Sequence, residues 1–405
     1  MRFHSLRHAA TLCFVAALAA NPAAAKTISV KAGTPDANEK LQEALIVAEP
    51  GDVVELGAGV WKLTDGLSLD VNNVTVRGAG TKDGEGSILD FSGQQGAGEG
   101  LLVTSDDVFL TNFAVLNTKG DGIKSKGADR IVYHQLRVEW TGGPKATNGA
   151  YGVYPVESSD VLIDSVYVRG ASDAGIYVGQ SKNIVVRESI ATENVAGIEI
   201  ENSFDADVHD NIATKNTGGI LVFDLPNLPQ QGGHNVRVFD NIVNDNSTPN
   251  FAPKGNIVAS VPTGTGVLVM ANRNVEVTNN VFDENGTANV MIVGYRYDQK
   301  DPKYQPLPKA IVVKGNQHGK AGYAPAFAGG EQIAAAMGGS IPPVVWDGSG
   351  DAIVLDKVGV LSLNLPDVKT PQSEAKPSPA DLSKGTPPAA LPGITLPASM
   401  EARIQ

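Results

Sequence analysis

The sequence predicts an all-β chain wound into a single-stranded right-handed parallel β-helix of about ten coils, with a capping helix at its N-terminal end. Three observations carry this. A Gly-aliphatic strand returns at intervals of 22 residues, as Gly175-Ile176-Tyr177-Val178, Gly197-Ile198-Glu199-Ile200 and Gly219-Ile220-Leu221-Val222. Gly122-Ile123, Gly152-Val153, Gly266-Val267 and Asn289-Val290 extend the series. Each unit also holds two further short segments rich in β-branched residues, such as Asn183-Ile184-Val185-Val186 and Glu188-Ser189-Ile190. Three strands per 22 residues with no helix between them cannot form a βαβ sheet. They can wind into a solenoid in which every strand pairs with its copy one turn away. The third observation is a pair of aligned polar columns, Ser189/Asn211/Asn241/Asn280 and Asn194/Asn216/Asn246/Asn285, whose amides can bond from coil to coil.

The elements follow in order. Residues 1–25 read as a secretory signal peptide, with Arg2 and Arg7, an apolar run from Ala9 to Ala20, and Ala23-Ala24-Ala25 before Lys26. Residues 26–52 hold a first strand and an amphipathic helix from Ala37 to Ala48, stopped by Pro50-Gly51-Asp52. Coils are expected over 53–320, a C-terminal cap region with a final strand pair over 321–365, and a Pro-rich disordered tail over 366–405. The Gly175, Gly197 and Gly219 positions are expected to turn the chain with positive φ. Asn289 fits the same expectation.

Composition narrows the function. The chain of 405 residues carries a formal charge of −12, or −14 without the leader, which speaks against nucleic acid. The single Cys13 lies in the leader, so thiolate chemistry and disulfides are excluded from the mature protein. No stretch has the roughly 20 apolar residues of a membrane-spanning helix. The leader implies a periplasmic or secreted protein. His134, His209, His234 and His318 show no paired metal spacing.

The runs Asp173–Ser181, Asn194–Asn202, Asn216–Pro229, Asn250–Pro253 and Gly264–Asn272 resemble a family of bacterial exported parallel β-helix repeat proteins. The likeness covers roughly Ile28 to Val360 and implies the fold but no activity. More distantly, the coils are similar to the carbohydrate-active β-helix superfamily of pectate lyases, polygalacturonases and alginate epimerases, which implies a polysaccharide or oligosaccharide as partner. The chain lacks the Asp-Pro-His-Asp stretch of alginate epimerases and a clear pectate-lyase set of calcium-binding acids.

In each Gly-aliphatic strand the residue after the aliphatic points outward, giving the column Lys124, Tyr154, Tyr177, Glu199, Leu221, Leu268 and Met291. Its apolar half, with Phe223 and Met270, calls for a cover, which the insertions 224–233 and 244–264 can supply. A cleft is expected where the covered half meets the open half. Glu199 and Glu201 form its floor and Asp224 its wall, as candidate catalytic acids. Tyr154, Tyr177, Trp140 and Arg296 are candidate sugar contacts, with Tyr151 an alternative to Trp140 on the far wall. The carboxylates could bind hydroxyls, hold Ca²⁺, or act as acid and base. His134 with Arg137 and Glu139 is a weaker candidate for a base beside a charge neutraliser. Two classes remain open. One is a polysaccharide lyase, epimerase or glycoside hydrolase. The other is a non-catalytic periplasmic scaffold or binding module, with an exported protein as partner.

Overall fold

The computed structural model describes residues 25–404 except 97, 298 and 299, so the expected signal peptide lies outside the described residues apart from Ala25. Parallel strands stack into three sheets along one solenoid. Sheet I, which contains Lys182–Arg187, and sheet II, which contains Ala174–Gly179, have twelve strands each, and sheet III, which contains Ile190–Thr192, has ten. At ~4.8 Å per coil the stack is about 50 Å long. The capping helix Ala37–Val47 buries Leu41, Ala44 and Leu45 against the first coil, as its amphipathic pattern predicts.

The interior is a column of aliphatic side chains. In Ala174–Gly179, Ile176 and Val178 enter this core. Tyr177 faces the other way, into a separate cluster. The next coil repeats the pattern in register, with Ile176 opposite Ile198, Tyr177 opposite Glu199 and Gly179 opposite Glu201. The outward column runs on from Glu199 to Leu221, Leu268 and Met291. Strand alternation is therefore read correctly from the sequence.

Two buried asparagine ladders fix that register. Asn216 Oδ1 accepts from Asn194 N at 3.0 Å and from Asn194 Nδ2 at 3.1 Å. Asn246 Oδ1 does the same for Asn216, and Asn285 Oδ1 accepts from Asn246 Nδ2. Each amide also donates to a core carbonyl, Asn216 Nδ2 to Ala191 O at 3.0 Å. The second ladder runs from Ser189 through Asn211, Asn241 and Asn280 to Asn316.

The glycines require a correction. Gly175, Gly197 and Gly219 are absent from the positive-φ residues, as is Asn289. The left-handed turns fall instead on residues such as Asn183, Asp205 and Asn235. Glycine is required for a different reason. A Cβ on Gly197 would stand 2.5 Å from Gly219 O and 2.7 Å from Asn216 Nδ2. The ladder occupies the space a side chain would need.

The C-terminal third also differs from expectation. Val344–Trp346, Asp351–Leu355 and Val360–Ser362 continue the sheets, and Ser378–Ala380 closes the sheet II edge as an antiparallel strand. Two short helices, Gly330–Ala336 and Ala398–Glu401, join the single helix expected. Where composition predicts a disordered tail, the chain is laid back along sheet I. Leu396 and Met400 are buried against Phe109, Val132, Leu162 and Val185. Glu401 pairs with Arg187 at 2.7 Å, and Arg403 donates to Asp107 O at 2.7 Å. The apolar stripe on the outer face of sheet I, rather than tail composition, decides this packing.

Asn216→Ala strips the ladder of partners for Asn194, Ala191 and Asn246, all buried. It should cost about 3 kcal/mol in urea unfolding; an unchanged midpoint would remove the ladder from the account of stability. Deleting residues 386–405 uncovers the Leu162/Val185 stripe. It should lower the melting temperature and raise binding of an apolar dye, whereas unaltered behaviour would show that the tail does not cover that stripe.

Candidate functional site

Sheet II presents its outward residues in the order the coils dictate, so side chains from successive repeats stand side by side. Tyr154 is opposite Tyr177 one coil on, through Val153 opposite Ile176, and Tyr177 is opposite Glu199. The Tyr151, Tyr154 and Tyr177 rings form one cluster, with centroids 4.5 Å apart for Tyr151 and Tyr177 and 4.9 Å for Tyr154 and Tyr177. Tyr177 Oη donates to Glu201 Oε1 at 2.7 Å. Lys124 stands at the other side, 4.8 Å from the Tyr154 ring centre. Its ammonium pairs with Glu99 at 3.2 Å and Asp121 at 3.7 Å.

The acids are not the solvated floor of an open cleft. Glu199 is 1% exposed and Glu201 7%. The 244–264 insertion folds over them. Phe251, Ala252, Ile257 and Val258 pack into the cluster that holds Tyr177, and Asn256 Nδ2 donates to Asp173 Oδ2 at 2.9 Å. Asn250 ties this insertion together by donating to the carbonyls of Val258 and Val261. Of the two insertions expected to cover the apolar half, 244–264 packs there through Val258 and Val261 and also reaches the acid cluster at Asp173.

Burial sets the proton inventory. It pushes Glu199 well above the usual carboxylate range, and the charges of Asp173 and Glu201 add to that. Glu201 is pushed up to about 7 by burial, against the hydrogen bond from Tyr177. Asp173 is raised by burial to about 7, with Asn256 opposing, and Asp121 by burial to about 6, with Lys124 opposing. Glu199 Oε2 is buried and has no hydrogen-bond partner among the described residues. A carboxyl held neutral can donate a proton, and one poised near neutrality can take it back.

The other expected site residues are placed elsewhere or used otherwise. Asp224 follows Phe223, whose partner one coil back is Glu201. Its carboxylate accepts from the Gly232 and Gly233 amides, both at 2.8 Å, so it clamps the 224–233 loop. Trp140 is 4% exposed in the core, with its indole N–H on Thr118 O at 2.7 Å. It is no sugar platform, and Tyr151 takes the place beside the acids. Arg296 pairs with Asp347 at 2.8 Å and bonds the Asp367 and Thr370 carbonyls. It follows Val293, about three coils or ~14 Å beyond Glu201. His134 bonds Asp164, which also holds Arg187, on sheet I.

Sequence reasoning missed Asp121 and Asp173. Each lies one or two residues before the recurring Gly, in Asp121-Gly122-Ile123 and Asp173-Ala174-Gly175-Ile176. Reading that position along the repeats would have found them. Among the described residues no group of three or more His, Cys, Asp or Glu side chains is arranged to hold a metal ion. Among the same residues no helix is long and apolar enough to cross a membrane.

Because the Glu199 and Glu201 carboxyls titrate near 4.5 when unfolded and higher when folded, the native state holds more protons between those values. Their contribution to stability is present at low pH and lost as pH rises above about 4.5, through about 7 for Glu201 and further up for Glu199. Glu199→Gln, Glu201→Gln should therefore melt a few degrees above the wild type at pH 8, with the gap closing near pH 4. A gap of the opposite sign in thermal melts would mean the acids are ionised in the fold.

Comparison with known proteins finds the family described as "Right handed beta helix region" over residues 66–229 and 146–298. No curated protein matches the chain. Among solved structures, the A-module of a mannuronan C-5 epimerase from Azotobacter vinelandii is 14% identical and superposes with a TM-score of 0.54, covering 82% of this chain and 92% of that one. A DFA-IIIase from Arthrobacter chlorophenolicus, without its lid, is 13% identical at a TM-score of 0.51 over 81% and 94%. A polygalacturonase from Erwinia carotovora is 15% identical at 0.50 over 83% and 93%. At these identities the likeness is one of fold.

Proposed function

The chain belongs to the right-handed β-helix family, and from that premise we propose that it is an exported enzyme that cleaves or transfers a glycosidic bond in a neutral glycan. The observation that carries this is the Glu199/Glu201 pair. One carboxyl is kept neutral with an oxygen free to donate, and the other is held by Tyr177 and poised near neutrality. Glu199 is the proton donor to the leaving oxygen. Glu201 is the base or nucleophile, oriented by Tyr177. Tyr151 and Tyr154 offer ring faces to the sugar.

Charge selects among the reactions. Lyases and epimerases of uronates must neutralise a substrate carboxylate, but Lys124 is already shared by Glu99 and Asp121. An acidic sugar would meet the negative charge of Asp121 and of the partly ionised Asp173 and Glu201. A neutral sugar meets hydrogen-bond partners instead. The structural neighbours named above include enzymes named for mannuronan and polygalacturonate, and this acid-rich face favours a different substrate charge. Substrate entry requires displacement of the 244–264 insertion, beginning at the Asn256–Asp173 hydrogen bond. That same cover is the observation favouring a binding module without catalysis.

Purified protein screened against neutral and acidic oligosaccharides, with product analysis, separates these readings. Turnover is expected on a neutral glycan, with Glu201→Gln lowering kcat about a thousandfold at unchanged melting behaviour near pH 5. Cleavage of uronates alone would overturn the assignment of a neutral substrate, and glycan binding with no product would overturn catalysis.

A further inference from the structure

The outward face of sheet II does not end at the acids. One coil beyond Glu199 and Glu201 it becomes Leu221 and Phe223, then Leu268 and Met270, then Met291 and Val293. A cavity of about 380 Å³ stands on this apolar part, floored by Phe223, Leu268, Met270 and Met291 and walled by Phe327 and Leu365. Its size lies within the range of small-molecule sites. Arg296 and Asp347 in its lining pair with each other at 2.8 Å, so among the described lining residues no charge is left for an ionic ligand. Two thioethers on the floor give it adaptable walls suited to a flexible chain.

We propose that this cavity binds an unbranched apolar chain attached to the glycan, an alkyl or acyl substituent next to the sugar that sits over Glu199 and Glu201. The inference rests on the glycan reading above. Coil stacking supplies the geometry. Phe223 floors the cavity and is also the in-register neighbour of Glu201, so chain and reacting sugar lie about one coil apart, ~4.8 Å. Burial of each methylene in such a site adds affinity that a bare sugar cannot gain.

The test compares n-hexyl β-D-glucoside, glucose and 1-hexanol by calorimetry on the full chain, with Leu268→Trp filling the cavity. Met291→Gln, which keeps the volume and adds polarity, serves if the filled variant does not fold. Hexyl glucoside is expected to bind at least about tenfold more tightly than glucose, and either variant should remove that advantage. Equal affinity for hexyl glucoside and glucose, or an advantage that survives both variants, overturns the proposal. Glu201→Gln distinguishes the two readings. Loss of turnover with hexyl affinity retained supports both. Hexanol binding that is lost in the cavity variants, with no glycoside turned over, supports the apolar cavity and counts against the glycan reading on which its substrate assignment rests.

Discussion

Everything in this molecule depends on coil-to-coil register held by side-chain amides inside the turns. Alternation forbids a slip of one residue, but backbone pairing would tolerate a slip of two, which keeps every side chain on its face. The asparagine ladders do not. Asn194, Asn216, Asn246 and Asn285 each need a partner amide one coil away, in a place with no water to replace it. A slip would orphan several buried polar groups at once. The same ladders explain why glycine stands second in these strands, because the amide of Asn216 occupies the position a Gly197 side chain would take.

Register then creates the chemistry. Fixing every repeat to its neighbour places any residue of the outward column about one coil from its successor, whatever its charge. Tyr177 is opposite Glu199, and Glu201 follows two residues later on the same face. Acids crowded in this way beneath a cover of Phe251, Ile257 and Val258 cannot all ionise. A rigid scaffold can hold such an arrangement because its stability comes from the long aliphatic core and the ladders, with a few acids held at a cost. The change from acidic to apolar at Leu221 and Phe223 is likewise a change of residue on a fixed lattice.

Much of this was legible in the sequence, and the limits are instructive. A period of 22 residues, alternation along short strands and the aligned asparagines identified the solenoid, the outward column and the capping helix. They identified Tyr154, Tyr177, Glu199 and Glu201 as neighbours because position within a repeat determines position on the rod. Segments outside the repeat were not legible in the same way. Nothing periodic says that 244–264 folds over Glu199, that Trp140 turns into the core, or that Ile394 to Ile404 lies on the Leu162/Val185 stripe. Long-range packing decides those. The position of the glycines is legible in the repeat and its cause is not, because a crowded interior and a left-handed turn select the same residue.

The proposed chemistry rests on carboxyl groups of sheet II kept protonated near neutrality. Infrared difference spectroscopy of the full chain across a pH titration reads this directly, through the C=O stretch of the neutral carboxyl. This band is expected to persist at pH 6 in the wild type and to shrink in Glu199→Gln and in Glu201→Gln, with Glu199 supplying the part that survives to higher pH. A spectrum with no neutral carboxyl at pH 6 would contradict that chemistry, leaving the face as an array of ionised acids with no proton to give.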